Sequence, residues 1–232
     1  MDAYKREIKD AIIYAKELKF DKTHPWHHNL VALYCAIIEY SDSLVFLIDN
    51  EKGIAVPVIF RGLLEAYVDF KNLAEQRTYG YFMEASYTKE WLKILNEENL
   101  AENAYLADIA ADPGLVEEIQ KHRDKLGELK EKGYSPLSHF QKFEKAEMLE
   151  EYRSVYNFVC SYSHNNIRSL VDRFLIINEA EKDFQMALFR DQEPKEFEQY
   201  IQTGRHLIRN CSHNIHAILE TGHEGAFSVA EV

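Results

Sequence analysis

Apolar side chains recur at intervals of three and four residues along most of the chain, the spacing of one face of an α-helix. Residues 2–19 put Tyr4, Ile8, Ile12, Ala15 and Leu18 on such a face. After a break at His24-Pro25-Trp26, the spacing predicts a long helix over about 27–49, with Leu30, Leu33, Tyr34, Ile37, Ile38, Leu44, Val45 and Ile48 on one side. Val31, Cys35, Phe46 and Leu47 carry apolar character round the rest of it, the mark of a central helix. A turn at Asp49–Gly53 leads to another rich helix over about 54–77, with Phe60, Leu63, Leu64, Tyr67, Val68 and Phe70. Pro57 falls in its first turn, where a missing N–H costs little.

The pattern thins over 79–110, which predicts one or two peripheral helices. Asp112-Pro113-Gly114 reads as a helix start, with Asp112 as N-cap, Pro113 at the first position and Glu117 and Glu118 in the first turn. That helix ends near Gly133. Helical spacing returns over 143–162 and, after the polar run Ser161 to Asn166, resumes through Phe174; Ser163 or Asn165 is a natural cap at this junction. Residues 174–190 fit either a short β-hairpin or continued helix, and a last helix covers 194–220. The expected fold is all-α: a single-domain bundle of about 7–8 helices over 1–220, followed by a flexible C-terminal tail at 221–232.

Composition narrows the class. The chain has 232 residues, 46% of them hydrophobic and 12% aromatic, with 9 Gly and 5 Pro. Disordered, collagen-like and disulfide-scaffold proteins are excluded. The net charge of −12 disfavours a nucleic-acid protein that relies on a broad basic face. Acidic residues concentrate at 97–131 and 144–151, as solvated surface. The N-terminal MDAYKREIKD lacks the apolar core of a secretory signal, and no stretch approaches the roughly 18 apolar residues of a membrane span. Cys35, Cys160 and Cys211 are odd in number and form no CxxC pair, so reduced thiols, a cytoplasmic location and no membrane contact are expected. With no glycine-rich phosphate loop, nucleophile elbow or kinase motif, no cofactor is expected either.

Candidate chemistry lies where polar side chains interrupt apolar helices. Arg61, Glu65 and Asp69 recur every four residues and form one stripe, read either as an intrahelical salt bridge with a solvated edge or as a charge cluster serving a site. The second run is Ser161-Tyr162-Ser163-His164-Asn165-Asn166, preceded by Tyr156 and followed by Arg168. His164 is a candidate general base there, since imidazole titrates near neutrality. Metal binding is a lesser option, at His24, His27 and His28 or at His213 with His216, and no metal is expected. The Glu-x-x-His spacing of a di-iron bundle occurs only at Glu220 to His223.

Arg209-Asn210, followed after five positions by His216, resembles the motif of the higher eukaryote and prokaryote nucleotide-binding (HEPN) domains. Many of these helical bundles are metal-independent ribonucleases, and the resemblance makes Arg209 and His216 catalytic candidates beside His164. The stretch Ile59-Phe60-Arg61-Gly62-Leu63-Leu64-Glu65-Ala66, with the later Tyr156 and Ser161-Tyr162-Ser163-His164, resembles a bacterial family known as domain of unknown function 5677. That resemblance spans roughly 25–220 and implies a mostly helical protein with Arg61, Glu65, Tyr156, Ser161 and His164 as its polar site. It brings no reaction with it. Two functions stand side by side: a binding or regulatory module for a small polar ligand or protein partner, or a HEPN-like metal-independent endoribonuclease of toxin or phage-defence type. RNA is a partner only under the second, and a homodimer fits both.

Overall fold

The computed structural model describes residues 1–96, 100, 103–164, 166–178, 180, 182–189 and 193–227. Asn165 and residues 228–232 of the expected tail therefore lie outside the described residues. Among those described, the fold is helical, with ten α-helices of a turn or more and one small antiparallel sheet. The backbone gathers into two compact units, Met1–Glu75 with Phe143–Val232 and Gln76–Lys142, a division that the single-domain expectation over 1–220 did not include.

The first unit is built on α1 (Asp2–Ala15), α2 (Pro25–Asp49) and α3 (Val56–Glu75). Pro25 opens α2 rather than interrupting it, because the His24 ring nitrogen accepts the Trp26 N–H at 3.2 Å and caps the helix. Leu30, Tyr34, Ile37 and Leu44 of α2 are fully buried, as are Phe60, Leu63 and Phe70 of α3. The Trp26 indole N–H donates to the Leu73 carbonyl at 2.8 Å and ties the two helices end to end. Helix α2 is not enclosed all round: Phe46 is 62% exposed, and Cys35, Glu39 and Asp42 share the open side. By length and composition alone α2 is apolar enough to cross a membrane, contrary to the expectation that no stretch approaches that mark. Its few charges lie on the open side and its buried face serves the core, the ordinary position of a core helix.

Past the second unit, the turn Leu149–Glu151 leads into a π-helical turn, Tyr152–Tyr156, then α8 (Asn157–Ser163) and α9 (Ile167–Phe174). The hairpin option holds at 174–190: β1 (Leu175–Asn178) pairs antiparallel with β2 (Asp183–Met186), Leu175 opposite Met186 and Asn178 opposite Asp183. The long helix α10 (Glu198–Ile218) closes the bundle. Tyr4 of α1 lies flat against it at Gly204, where any Cβ would collide with the Tyr4 hydroxyl. Glu7 receives both arms of Arg205 at 3.0 and 2.8 Å, and the Tyr34 and Ser212 hydroxyls meet at 3.0 Å. Residues 221–227 do not fray as expected. A 3₁₀ turn at Glu224–Phe227 folds back onto α10 and buries Phe227.

The second unit holds α4 (Tyr79–Ile94), α5 (Ala107–Ala110) and α6 (Leu115–Glu131), with α7 (His139–Lys145) running across the division. Its small core is Leu95, Leu115 and Ile119, with Trp91, Leu92, Leu100 and Ile109 packed on it. Helix α6 starts two residues later than the sequence suggests. Asp112 Oδ1 accepts the Gly114 N–H at 2.7 Å and closes a turn over Pro113, so Asp112 orders the approach rather than capping the helix. Such short elements raise the helix count above 7–8, as does the break at Glu147, whose φ of +54° interrupts the run over 143–162.

Candidate functional site

Four of the five expected site residues meet between α3 and α8. Arg61 and Glu65 are one turn apart on α3, and Arg61 Nε donates to Glu65 Oε1 at 2.8 Å. The Tyr156 hydroxyl donates to the same carboxylate oxygen at 2.7 Å from 91 residues away in sequence. Arg61 Nη1 donates to Ser163 Oγ at 3.2 Å and to His164 Nε2 at 2.8 Å. A guanidinium has no acceptor, so Nε2 is the acceptor and the imidazole proton sits on Nδ1. The Arg61 guanidinium also stands over the Tyr156 ring, 5.8 Å from its centroid.

This network is half sheltered. The Arg61 and Glu65 side chains are 21% and 32% exposed, Tyr156 is buried and His164 is exposed. Burial works against the Arg61 charge, but the hydrogen bond and the charge of Glu65 outweigh it and hold the guanidinium more firmly protonated. Burial, followed by the bond to Glu65 and its negative charge, pushes the Tyr156 hydroxyl well above its ordinary value, so it stays a proton donor. Among the described residues, Arg61 Nη2 and His164 Nδ1 have no hydrogen-bond partner, and Nη2 is not sealed from solvent. The arrangement therefore offers a ligand two donors. With its acceptor nitrogen occupied by Arg61, His164 is not set up as a general base at Nε2.

A family of unknown function, DUF5677, matches residues 27–184, well over half of the chain. The chain belongs to that family. The matched span of this DUF5677 member contains α2 from its third residue, α3 and α8, and with them every residue of the network. No curated protein and no solved structure matches it.

Ser161, the fifth expected residue, is not in the network. Its hydroxyl donates to the Phe158 carbonyl at 2.7 Å within α8, and Ser163 takes its place beside Arg61. Ser163 does not cap α9 either; Asn166 does, its side chain accepting the Arg168 N–H at 2.9 Å. Asp69, at the far end of the α3 stripe, is half-buried. Arg168 is largely exposed and lies 3.9 Å from Asp172.

Arg209 and His216, the nuclease candidates, are not arranged as a pair. Arg209 reaches Glu7 on α1 at 3.7 Å. His216 is fully buried, its ring stacked on Phe227 and edge-on to Tyr14 and Tyr34, with Nδ1 2.7 Å from the Thr221 hydroxyl. Burial, and then neighbouring His223, lower its pKa and favour the neutral ring. Of the histidines weighed as metal ligands, His24 caps α2, His27 accepts the Asp21 N–H, and His213 meets the Glu224 carbonyl. Among the described residues no three His, Cys, Asp or Glu side chains are placed to share a metal ion.

Sequence reasoning missed Ser163 as a site residue and the π turn before α8. The π turn inserts one residue into the helical repeat and turns Tyr156 toward Glu65. The cluster of aromatic residues at Phe143, Tyr152 and Tyr156 is the signal beside it: Tyr152 stacks on Tyr156 at 5.4 Å, and Phe143 lies tilted against Tyr156 at 4.7 Å.

Proposed function

We propose that this protein is a small-molecule binding or regulatory module whose ligand is a polar compound bearing hydrogen-bond acceptors, read by Arg61 and His164. One observation supports this above all: a guanidinium oriented by Glu65 and Ser163 keeps one arm without a partner among the described residues, beside an imidazole whose remaining N–H is likewise unengaged among them. Two fixed donors of this kind suit a carboxylate or phosphate oxygen. Glu65 and Tyr156 hold the arginine in place rather than contacting the ligand. The three free cysteines accord with a reducing, cytoplasmic setting.

The test is thermal unfolding of the wild-type protein, Arg61→Ala and His164→Ala with inorganic phosphate, pyrophosphate, acetate and adenosine monophosphate. At least one compound raises the wild-type melting temperature in a saturable way, and neither variant responds to it. The proposal fails if none of the four shifts the wild type, or if both variants respond as it does. The ribonuclease alternative has no comparable support, since Arg209 and His216 do not face a common opening.

A further inference from the structure

On the other side of α8 lies a cleft of about 1200 Å³, lined by Phe158 and Tyr162 of α8, Phe174 of α9, Tyr200 of α10 and Pro57 of α3. Neither Arg61 nor His164 borders it. Its walls are largely aromatic and aliphatic, and Arg173, in the last turn of α9, is set among them. The Arg173 guanidinium lies 4.7 Å from the centroid of the Tyr162 ring. That stacking accounts for one face of the group and leaves its N–H edge unexplained.

Arg173 Nη2 is sealed from solvent and has no hydrogen-bond partner among the described residues. No carboxylate among them pairs with it, although Asp172 is its neighbour in sequence; Asp172 lies 3.9 Å from Arg168 instead. An arginine without an anion, on the wall of an apolar cleft, is a costly arrangement for the empty protein. Burial accordingly works against its charge. A ligand anion held in the cleft beside the Arg173 guanidinium offsets that cost.

We propose that this cleft is a second binding site, for a singly charged anion with an apolar body, such as an alkyl or aryl carboxylate, and that Arg173 is its counter-ion. The volume is ample for an apolar body of ten or more carbons. The single charge follows from the other ionisable residues on the lining. Glu51, Asp172 and Glu196 are all exposed carboxylates, and Lys52, held 5.9 Å from the Phe189 ring, is the further cation among the described residues of the lining. Among the described residues of the lining, a polyphosphate or an RNA strand would face three acidic groups for two basic ones, whereas one carboxylate needs only Arg173.

Calorimetric titration of the full-length protein with decanoate, and with decan-1-ol as its neutral counterpart, tests this. Decanoate binds one per chain, and decan-1-ol binds about tenfold more weakly or worse, the loss expected when a charge-assisted bond is withdrawn. Arg173→Gln, verified as folded by circular dichroism, weakens decanoate by about tenfold or more and leaves decan-1-ol unchanged. Ser161→Ala, outside both the network and the cleft, leaves decanoate binding as in the wild type. Equal affinity for acid and alcohol in the wild type overturns the proposal, as does the absence of decanoate binding. Wild-type affinity in folded Arg173→Gln overturns it too, and loss of binding in Arg61→Ala would move the ligand to the other site. If Arg173→Gln does not fold, the wild-type comparison of acid with alcohol decides.

Discussion

Two arginine–histidine pairs invite comparison. Arg209 and His216 lie on one helix, two turns apart, and match a nuclease motif; Arg61 and His164 lie on different helices, 103 residues apart. The distant pair is in contact at 2.8 Å, while Arg209 turns to Glu7 and His216 is sealed among aromatic rings. Spacing along one helix fixes only whether two side chains share a face. Which face is wet is decided by what packs on it, and here Tyr14, Tyr34 and Phe227 enclose the histidine. A polar residue in a core is structural when its neighbours close over it, and available when they leave an arm free.

The comparison breaks first at His216. His216→Ala removes a fully buried ring and is expected to cost about 2–4 kcal/mol, read as a lower midpoint in urea unfolding. A smaller loss would mean that Phe227 and the C-terminal turn do not depend on this ring. The same residue carries a pH signature. Because burial lowers its pKa from the ordinary 6.5, the folded protein favours the neutral ring. Above about pH 6.5 both states hold it neutral and the stabilisation is complete; as the pH falls further, the unfolded chain takes up the proton first and stability declines toward the folded-state value. His216→Gln flattens that limb of a pH–stability curve, and an unchanged limb would place the ring nearer to solvent.

Smaller effects sharpen the other half. Arg61→Ala leaves Glu65 with the Tyr156 hydroxyl and without its cation; in a half-exposed network this costs about 1–2 kcal/mol. Tyr156→Phe removes one bond to the same oxygen and costs about 1 kcal/mol. A double-mutant cycle between them gives less than the sum, since both act on Glu65 Oε1. Ser161→Ala, beside the network but outside it, stays within about 0.5 kcal/mol of the wild type.

Much of this was legible in the sequence. Three- and four-residue spacing located α1, α2, α3 and α10 closely, because each buries a long stripe. The Arg61–Glu65 bond follows from spacing alone, and Tyr156 and His164 were marked by being polar within apolar helices. The division into two units was not legible, since the core of the smaller is only a few residues strong and its helices are mostly polar. Nor was the choice of Ser163 over Ser161. Residues two positions apart on a helix differ by about 200° in direction, and which of them faces Arg61 depends on the phase in which α8 begins.

That phase is set by the π turn at Tyr152–Tyr156. One residue beyond the α repeat advances everything after it by about 100°. Tyr156 lies at the end of that turn, and Ser163, which meets Arg61, follows it on α8 together with Phe158 and Tyr162, which line the cleft beside Arg173. Both sites are thus indexed to the number of residues in this turn as well as to their kinds. Deleting one residue from the turn ahead of Tyr156 keeps Phe158, Tyr162, Ser163 and His164 in the protein and points each of them somewhere else. Variation in this stretch is best read by length before it is read by letter.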